Sequence, residues 1–155
     1  MQLKGVQMYR VKVEPEQKIP FISEFYKLFE MSQSMIFVNR KSDAVAMQNV
    51  LREEMGIAAE KLIGGINQQE RDKIIDAFRM QSINSLICTN VLARGIDVPE
   101  VDLVINYEVP FISNYGFKHP DCANYLHRVG RTGRFGTDGI ALTIVSDETD
   151  DDILD

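Results

Sequence analysis

Three things are scarce or missing in this 155-residue sequence, and each absence excludes something. No apolar run approaches the roughly 20 residues of a membrane span. The opening Met1-Gln2-Leu3-Lys4-Gly5 does not begin a signal-peptide apolar core. Cysteine is reduced to Cys88 and Cys122, in unrelated contexts, so neither a disulfide framework nor a zinc spacing exists. Cys88 ends an apolar run and reads as a small buried hydrophobe. His119 and Cys122 offer too few ligands for a metal. The expected setting is intracellular and reducing. Finally, there is no Gly-x-x-x-x-Gly-Lys-Ser/Thr phosphate loop. Gly133-x-x-Gly136-x-x-Gly139 is not a dinucleotide fingerprint either, because no strand precedes it and the spacing is wrong.

The composition is that of a globular domain, 45% hydrophobic and 26% charged, in a chain long enough for one core. Net charge is −6, which is the wrong sign for an anion binder, but its distribution matters more than its sum. The tail holds Asp147, Glu148, Asp150, Asp151, Asp152 and Asp155, and without these six the rest of the chain is neutral. The division expected is one domain over 1–146 and an acidic tail over 147–155, either the start of a helix or disordered.

Hydrophobic periodicity alternates between strand and helix along the chain. Gly5 to Val13 alternates apolar and polar residues as a strand does. Glu14-Pro15-Glu16 suits a helix start, and Ile19, Ile22, Phe25, Tyr26 and Phe29 follow at helical spacing. Met35-Ile36-Phe37-Val38 reads as a buried strand. Ser42 is the expected N-cap of a helix that carries Val45, Ala46, Val50 and Leu51 and that Gly56 closes. A weak strand over Ala59 to Ile63 leads into Gly64-Gly65. Asn67 and Glu70 form a capping-box variant before a helix from Gln68 to Met80. Further strands are expected at Ser85 to Thr89, within Val101 to Tyr107, and at Ile140 to Val145. Strands that are apolar on both faces, alternating with helices, indicate an α/β domain with a mostly parallel sheet covered by helices.

In such sheets ligands bind beyond the carboxyl ends of the strands. The residues that follow the expected strands are Asn39, Arg40 and Lys41; Gly64, Gly65, Gln68 and Arg71; and Thr89, Asn90, Arg94, Gly95 and Asp97. Donors dominate this rim, as an anionic ligand requires, and glycines permit close backbone approach. Asp97 is the exception, and an acid beside a phosphate site often serves a ribose hydroxyl. Polar loop tips serving solubility alone remain an alternative. Near the other end, Arg128, Arg131 and Arg134 recur every third residue, so a helix would place them on one face. Guanidiniums so arranged repel unless an anion lies between them, and their planar forks suit phosphate oxygens. The competing reading is a solvated basic helix end running into a Gly-rich turn.

Thr89-Asn90-Val91-Leu92-Ala93-Arg94-Gly95-Ile96-Asp97 resembles motif V of the DEAD-box RNA helicases, and His127-Arg128-Val129-Gly130-Arg131-Thr132-Gly133-Arg134 resembles their motif VI. Met35-Ile36-Phe37-Val38-Asn39 is similar to motif IV, Gln68-Gln69-Glu70-Arg71 to the Gln-x-x-Arg element, and Val104-Ile105-Asn106-Tyr107 to the strand between motifs V and VI. The chain departs from many members at Ile63, where they carry His, and at Asn90 and Glu108, where they carry Asp. The Asn90-Val91-Leu92 wording and the extended segment before motif VI resemble the mRNA-export subgroup.

The resemblance implies the second, C-terminal RecA-like domain of such a helicase, a three-layer α/β/α fold. It implies that Arg131 and Arg134 contact the γ-phosphate of ATP, that Arg128 helps the two domains communicate, that Asp97 holds the ribose, and that Gly95 lines the nucleotide cleft. It assigns Asn39, Arg40, Gly64, Gln68, Arg71, Thr89 and Asn90 to the RNA backbone, read without regard to sequence. The Asp-Glu-Ala-Asp and Ser-Ala-Thr elements are absent, so the ATP and its Mg²⁺ would be held mainly by an N-terminal RecA-like domain outside this chain. The expected whole is an ATP-dependent RNA helicase, cytoplasmic or nuclear (at the nuclear envelope if the subgroup holds), with an activating protein cofactor. The piece alone would be an inactive monomer. The alternative is a non-catalytic RNA-binding or adaptor module using the same fold.

Overall fold

The computed structural model describes residues 6–28, 33–89, 101, 103–107 and 139–145. Within them the chain forms β1 (Val6–Lys12), a 3-10 turn (Pro15–Gln17), α1 (Lys18–Leu28), β2 (Ser34–Val38), α2 (Lys41–Asn49), β3 (Ala59–Leu62), α3 (Gln68–Arg79), β4 (Ser85–Thr89), β5 (Leu103–Asn106) and β6 (Gly139–Val145). The strands make one sheet in the order β1-β6-β5-β2-β4-β3. Every described pairing is parallel.

The short apolar runs become the central strands because the sheet is covered on both faces. In β2, Ile36 and Val38 join a cluster with Ile22 of α1 and with Ala44, Met47 and Leu51 of the α2 side, while Met35 and Phe37 join Ile75 and Phe78 of α3. Alternate residues of one strand thus feed two cores, which is the three-layer α/β/α arrangement expected. Cys88 is buried, as its apolar context requires.

Helix ends follow local chemistry, with one correction. Asn67 caps α3, its Oδ1 accepting from the Glu70 N–H at 2.8 Å. Ser42 does not cap α2. The N-cap is Arg40, extended at φ −124° and ψ 144°, whose carbonyl accepts from the Ala44 N–H at 3.2 Å. The loop after β2 is therefore two residues shorter than Ser42 predicts, and Ser42 lies inside the first turn. Beyond Asn49 the helix continues as a π-helical turn, Val50–Glu54. Gly56 closes it at φ +65°, a conformation open to glycine, and the Ile57 N–H returns to the Leu51 carbonyl at 2.8 Å.

Side chains seal the free edge at β3. Arg52 Nε donates to the Ala59 carbonyl at 2.8 Å, and Gln48 Nε2 donates to the same oxygen at 3.3 Å. Arg52 and Gln48 also bind the two Glu60 carboxylate oxygens, and Lys61 Nζ donates to Gln48 Oε1 at 3.0 Å. An edge occupied in this way resists strand addition. Among the described residues no helix is long and apolar enough to cross a membrane.

Candidate nucleic-acid interface

Register sets the geometry of the rim. Val38 of β2 pairs with Thr89 of β4, Leu62 of β3 pairs with Cys88, and Phe37 pairs with Asn106 of β5. Four parallel strands therefore end level. Tyr107, Asn39, Thr89 and Ile63-Gly64 follow one another along a single edge, with neighbouring strands about 4.8 Å apart. Of the positions that the sequence gathers on one rim, Asn39, Gly64 and Thr89 stand level there.

Two helices begin on that rim. Arg40 gives α2 no side-chain cap, so its first-turn N–H groups carry no such bond. Arg40 is exposed, and Asn39 and Thr89 are partly so. The sequence places Lys41 on this rim and assigns it no contact. A Cβ built on Gly64 would lie 3.5 Å from both its Cε and its Nζ. The Lys41 ammonium thus rests over the β3–α3 turn, joining the α2 and α3 ends of the rim. Its place directly after the expected strand was the signal for it.

Arg71 stands one turn into α3, its N–H donating to the Asn67 carbonyl at 3.0 Å. Its side chain is partly buried and, among the described residues, neither Glu70 nor Asp72 pairs with it. Gln68 is engaged within its own helix, Nε2 donating to Asp72 Oδ1 at 2.9 Å. That bond uses one of the two Nε2 hydrogens and leaves the other to donate.

An open groove of about 510 Å³ lies between β3 and α3, lined by Ile63, Gly64, Gly65, Ile66 and Ile74 with Glu60, Lys61, Glu70 and Lys73. Its two acids and two bases balance, so it is not built for a polyanion. The strand-end rim beside it carries more donors: Arg40 and Lys41 stand at the start of α2, and Arg71 lies in the first turn of α3.

Residues 17–136 match the helicase conserved C-terminal domain family. The chain belongs to that family. A solved structure of the C-terminal domain of the DEAD-box protein Dbp5 superposes with a TM-score of 0.87 at 40% identity, covering 99% of this chain and 83% of that one. This helicase C-terminal domain is also 41% identical over 148 residues to the ATP-dependent RNA helicase DBP5 of Saccharomyces cerevisiae (strain S288c), covering 96% of the chain but 30% of that protein. It therefore spans about 30% of the length of that curated relative. S. cerevisiae Dbp5 bound to RNA and ADP BeF3 matches with a TM-score of 0.85 at 39% identity, over 99% of this chain and 39% of that one. Further structures of the same S. cerevisiae protein hold Gle1 and IP6, one of them with Nup159 and ADP as well.

Asn39, Gly64 and Thr89 follow the level strand ends, Arg40 caps α2, and Gln68 and Arg71 lie in the first turn of α3. Asn90, Gly95, Asp97, Arg128, Arg131 and Arg134 lie outside the described residues.

Proposed function

We propose that this domain is the C-terminal half of an ATP-dependent RNA helicase of the Dbp5 type, forming half of an RNA-backbone groove and supplying arginines to ATP hydrolysis. The observation that supports the reading is the level strand-end rim, where Lys41 lies over Gly64 and both α2 and α3 begin. Asn39, Arg40, Gly64, Gln68, Arg71, Thr89 and Asn90 contact phosphates and 2′-hydroxyls, with Lys41 added from the structure. Such contacts position a strand without reading its bases.

In this reading Arg131 and Arg134 stabilise the charge on the transferring γ-phosphoryl group, Arg128 couples the two domains, and Gly95 and Asp97 border the nucleotide, with Asp97 on the ribose. Mg²⁺ belongs to the phosphate-loop domain. Among the described residues no three His, Cys, Asp or Glu side chains gather to hold a metal. The RNA-bound and nucleotide-bound forms of S. cerevisiae Dbp5 support the ligand classes, and its Gle1 and Nup159 complexes support a protein activator and a role in mRNA export. The whole protein then works in the cytoplasm or nucleus, including the nuclear envelope. The domain alone is a folded monomer without appreciable ATPase.

The test is RNA-stimulated ATP hydrolysis by the complete two-domain polypeptide. Arg131→Ala and Arg134→Ala each lower kcat by about 10³-fold or more, with nucleotide-free RNA binding little changed. Unchanged turnover in both variants would favour a non-catalytic RNA-binding module, and a matched fall in RNA binding would move both residues into the RNA groove.

A further inference from the structure

Among the described residues Lys18 is the one charged side chain that is buried, at 4% exposure. It is the first residue of α1, the end of a helix where the backbone dipole disfavours a positive charge. Its Nζ donates to the Tyr107 carbonyl at 3.1 Å and stands 4.9 Å from the centroid of the Tyr107 ring. The contact joins residues 89 apart in sequence. Tyr107 in turn donates its N–H to the Phe37 carbonyl at 2.9 Å. One ammonium therefore fixes the main chain and the ring of the first residue beyond β5, against the end of β2.

That position is a particular one. β2 and β5 are neighbours, but their onward connections diverge across the sheet: β2 leads past β4 to β3, and β5 leads to β6 on the other side. The crevice beyond their carboxyl ends is thus a topological switch point, where sheets of this kind place ligands. In sequence, the chain runs on from Tyr107 to the stretch carrying Arg128, Arg131 and Arg134. Burying an ammonium is costly, and an apolar side chain of similar length would fill the same space. What an apolar side chain cannot do is grip a carbonyl and an aromatic face together.

We propose that Lys18 is a positioning residue for ATP turnover, holding the carboxyl end of β5 in its working place through the carbonyl and ring of Tyr107. This rests on the helicase reading above. It adds to that reading a residue that touches neither nucleotide nor RNA.

The experiment uses the complete two-domain polypeptide and the variants Lys18→Met, Lys18→Arg, Tyr107→Leu and Arg131→Ala. RNA-stimulated kcat, KM for ATP, nucleotide-free RNA affinity and Tm are measured for each. Lys18→Met lowers kcat by about tenfold or more, the scale of a small misplacement near reacting groups, while RNA affinity stays within about twofold and the protein remains folded well above the assay temperature. Lys18→Arg, which can still donate to the carbonyl and stack on the ring, recovers at least about half of the original kcat. Tyr107→Leu keeps the carbonyl bond but loses the ring, and falls between the two. The proposal is overturned if Lys18→Met keeps kcat within about twofold. It is equally overturned if kcat falls only in step with Tm or RNA affinity, or if Lys18→Arg is as impaired as Lys18→Met. Should Lys18→Met fail to fold, Tyr107→Leu decides, and an unchanged kcat there overturns the proposal. Arg131→Ala separates the two readings. Turnover lost in Arg131→Ala but kept in Lys18→Met rejects Lys18 alone, whereas turnover kept in Arg131→Ala rejects the arginine assignment.

Discussion

Lys41 lies across Gly64: both its Cε and its Nζ stand 3.5 Å from where a Cβ on that glycine would be. A lysine at the start of α2 is thereby held over the turn that leads into α3. The contact joins two loops that are separate in sequence into one cationic edge.

Gly64 and Gly65 should respond in opposite ways to alanine. At Gly64 the backbone is not left-handed, and the added methyl meets only the flexible end of Lys41. Gly64→Ala should leave thermal stability unchanged or raise it, by up to about 1 kcal/mol, and should weaken single-stranded RNA binding by crowding the rim. Gly65 has φ +97°, and Gly65→Ala should destabilise the domain by about 1 kcal/mol or more although the space beside it is open. Thermal unfolding and an RNA titration on both variants check this; the reverse order of stabilities would contradict the geometry.

Arg71 should act on RNA electrostatically. In the complete polypeptide Arg71→Ala should weaken binding to a similar extent across RNA sequences and reduce the slope of log K against log salt by roughly 0.7, one phosphate's share for a single strand. Gln68→Ala should weaken binding without changing that slope. Because Gln68 Nε2 is bonded to Asp72 in the free domain, its effect should be the smaller. RNA titrations at several salt concentrations measure both. An unchanged slope and affinity in Arg71→Ala would remove it from the interface.

The end of α3 stores backbone strain. Gln81 adopts φ +64°, beyond the Met80 C-cap, while its N–H reaches the Phe78 carbonyl at 3.1 Å and the Ser82 N–H reaches Ala77 at 2.9 Å. This is the closing geometry that glycine favours. Gln81→Gly should therefore stabilise the domain, by about 0.5–1 kcal/mol. Denaturant unfolding reads the change, and a loss of stability would show that the Gln81 side chain contributes more than its backbone conformation costs.

Tyr26 ties stability to alkaline pH. Burial raises its phenol above the usual 10.0, more than its hydrogen bonds to Ser34 and Ser85 lower it. Its hydroxyl lies 2.7 Å from Ser34 Oγ, which bonds Ser85 Oγ at 3.1 Å. In the unfolded chain the phenol ionises near pH 10. The folded state keeps its proton to higher pH, so unfolding releases a proton above that point. The contribution of Tyr26 is complete below pH 10 and should be lost progressively as pH rises above it. Tyr26→Phe should flatten this part of the profile, at a pH-independent cost of about 1 kcal/mol for the hydrogen bond. Unfolding free energies from about pH 8 to 11 provide the comparison.

What the sequence determined by itself is what local chemistry encodes. The runs Met35 to Val38, Leu86 to Cys88 and Leu103 to Ile105 are apolar on successive residues, which a strand covered on both faces satisfies, and all three lie in buried strands. Asn67 and Gly56 marked helix ends because an amide cap and a left-handed glycine act within a few residues of themselves. Ser42 misled because a cap is decided by where the preceding strand lets the chain turn, and β2 ends early enough for Arg40 to take that place. The tertiary structure alone decided the strand order β1-β6-β5-β2-β4-β3 and the shared register that makes four strand ends level. It alone laid Lys41 over Gly64, sealed β3 with Gln48 and Arg52, and brought Lys18 to Tyr107. The reason is physical. Propensity, caps and periodicity are energies between near neighbours in the chain, whereas these contacts join segments as distant as Val6 and Gly139 and exist only once the sheet has brought them together.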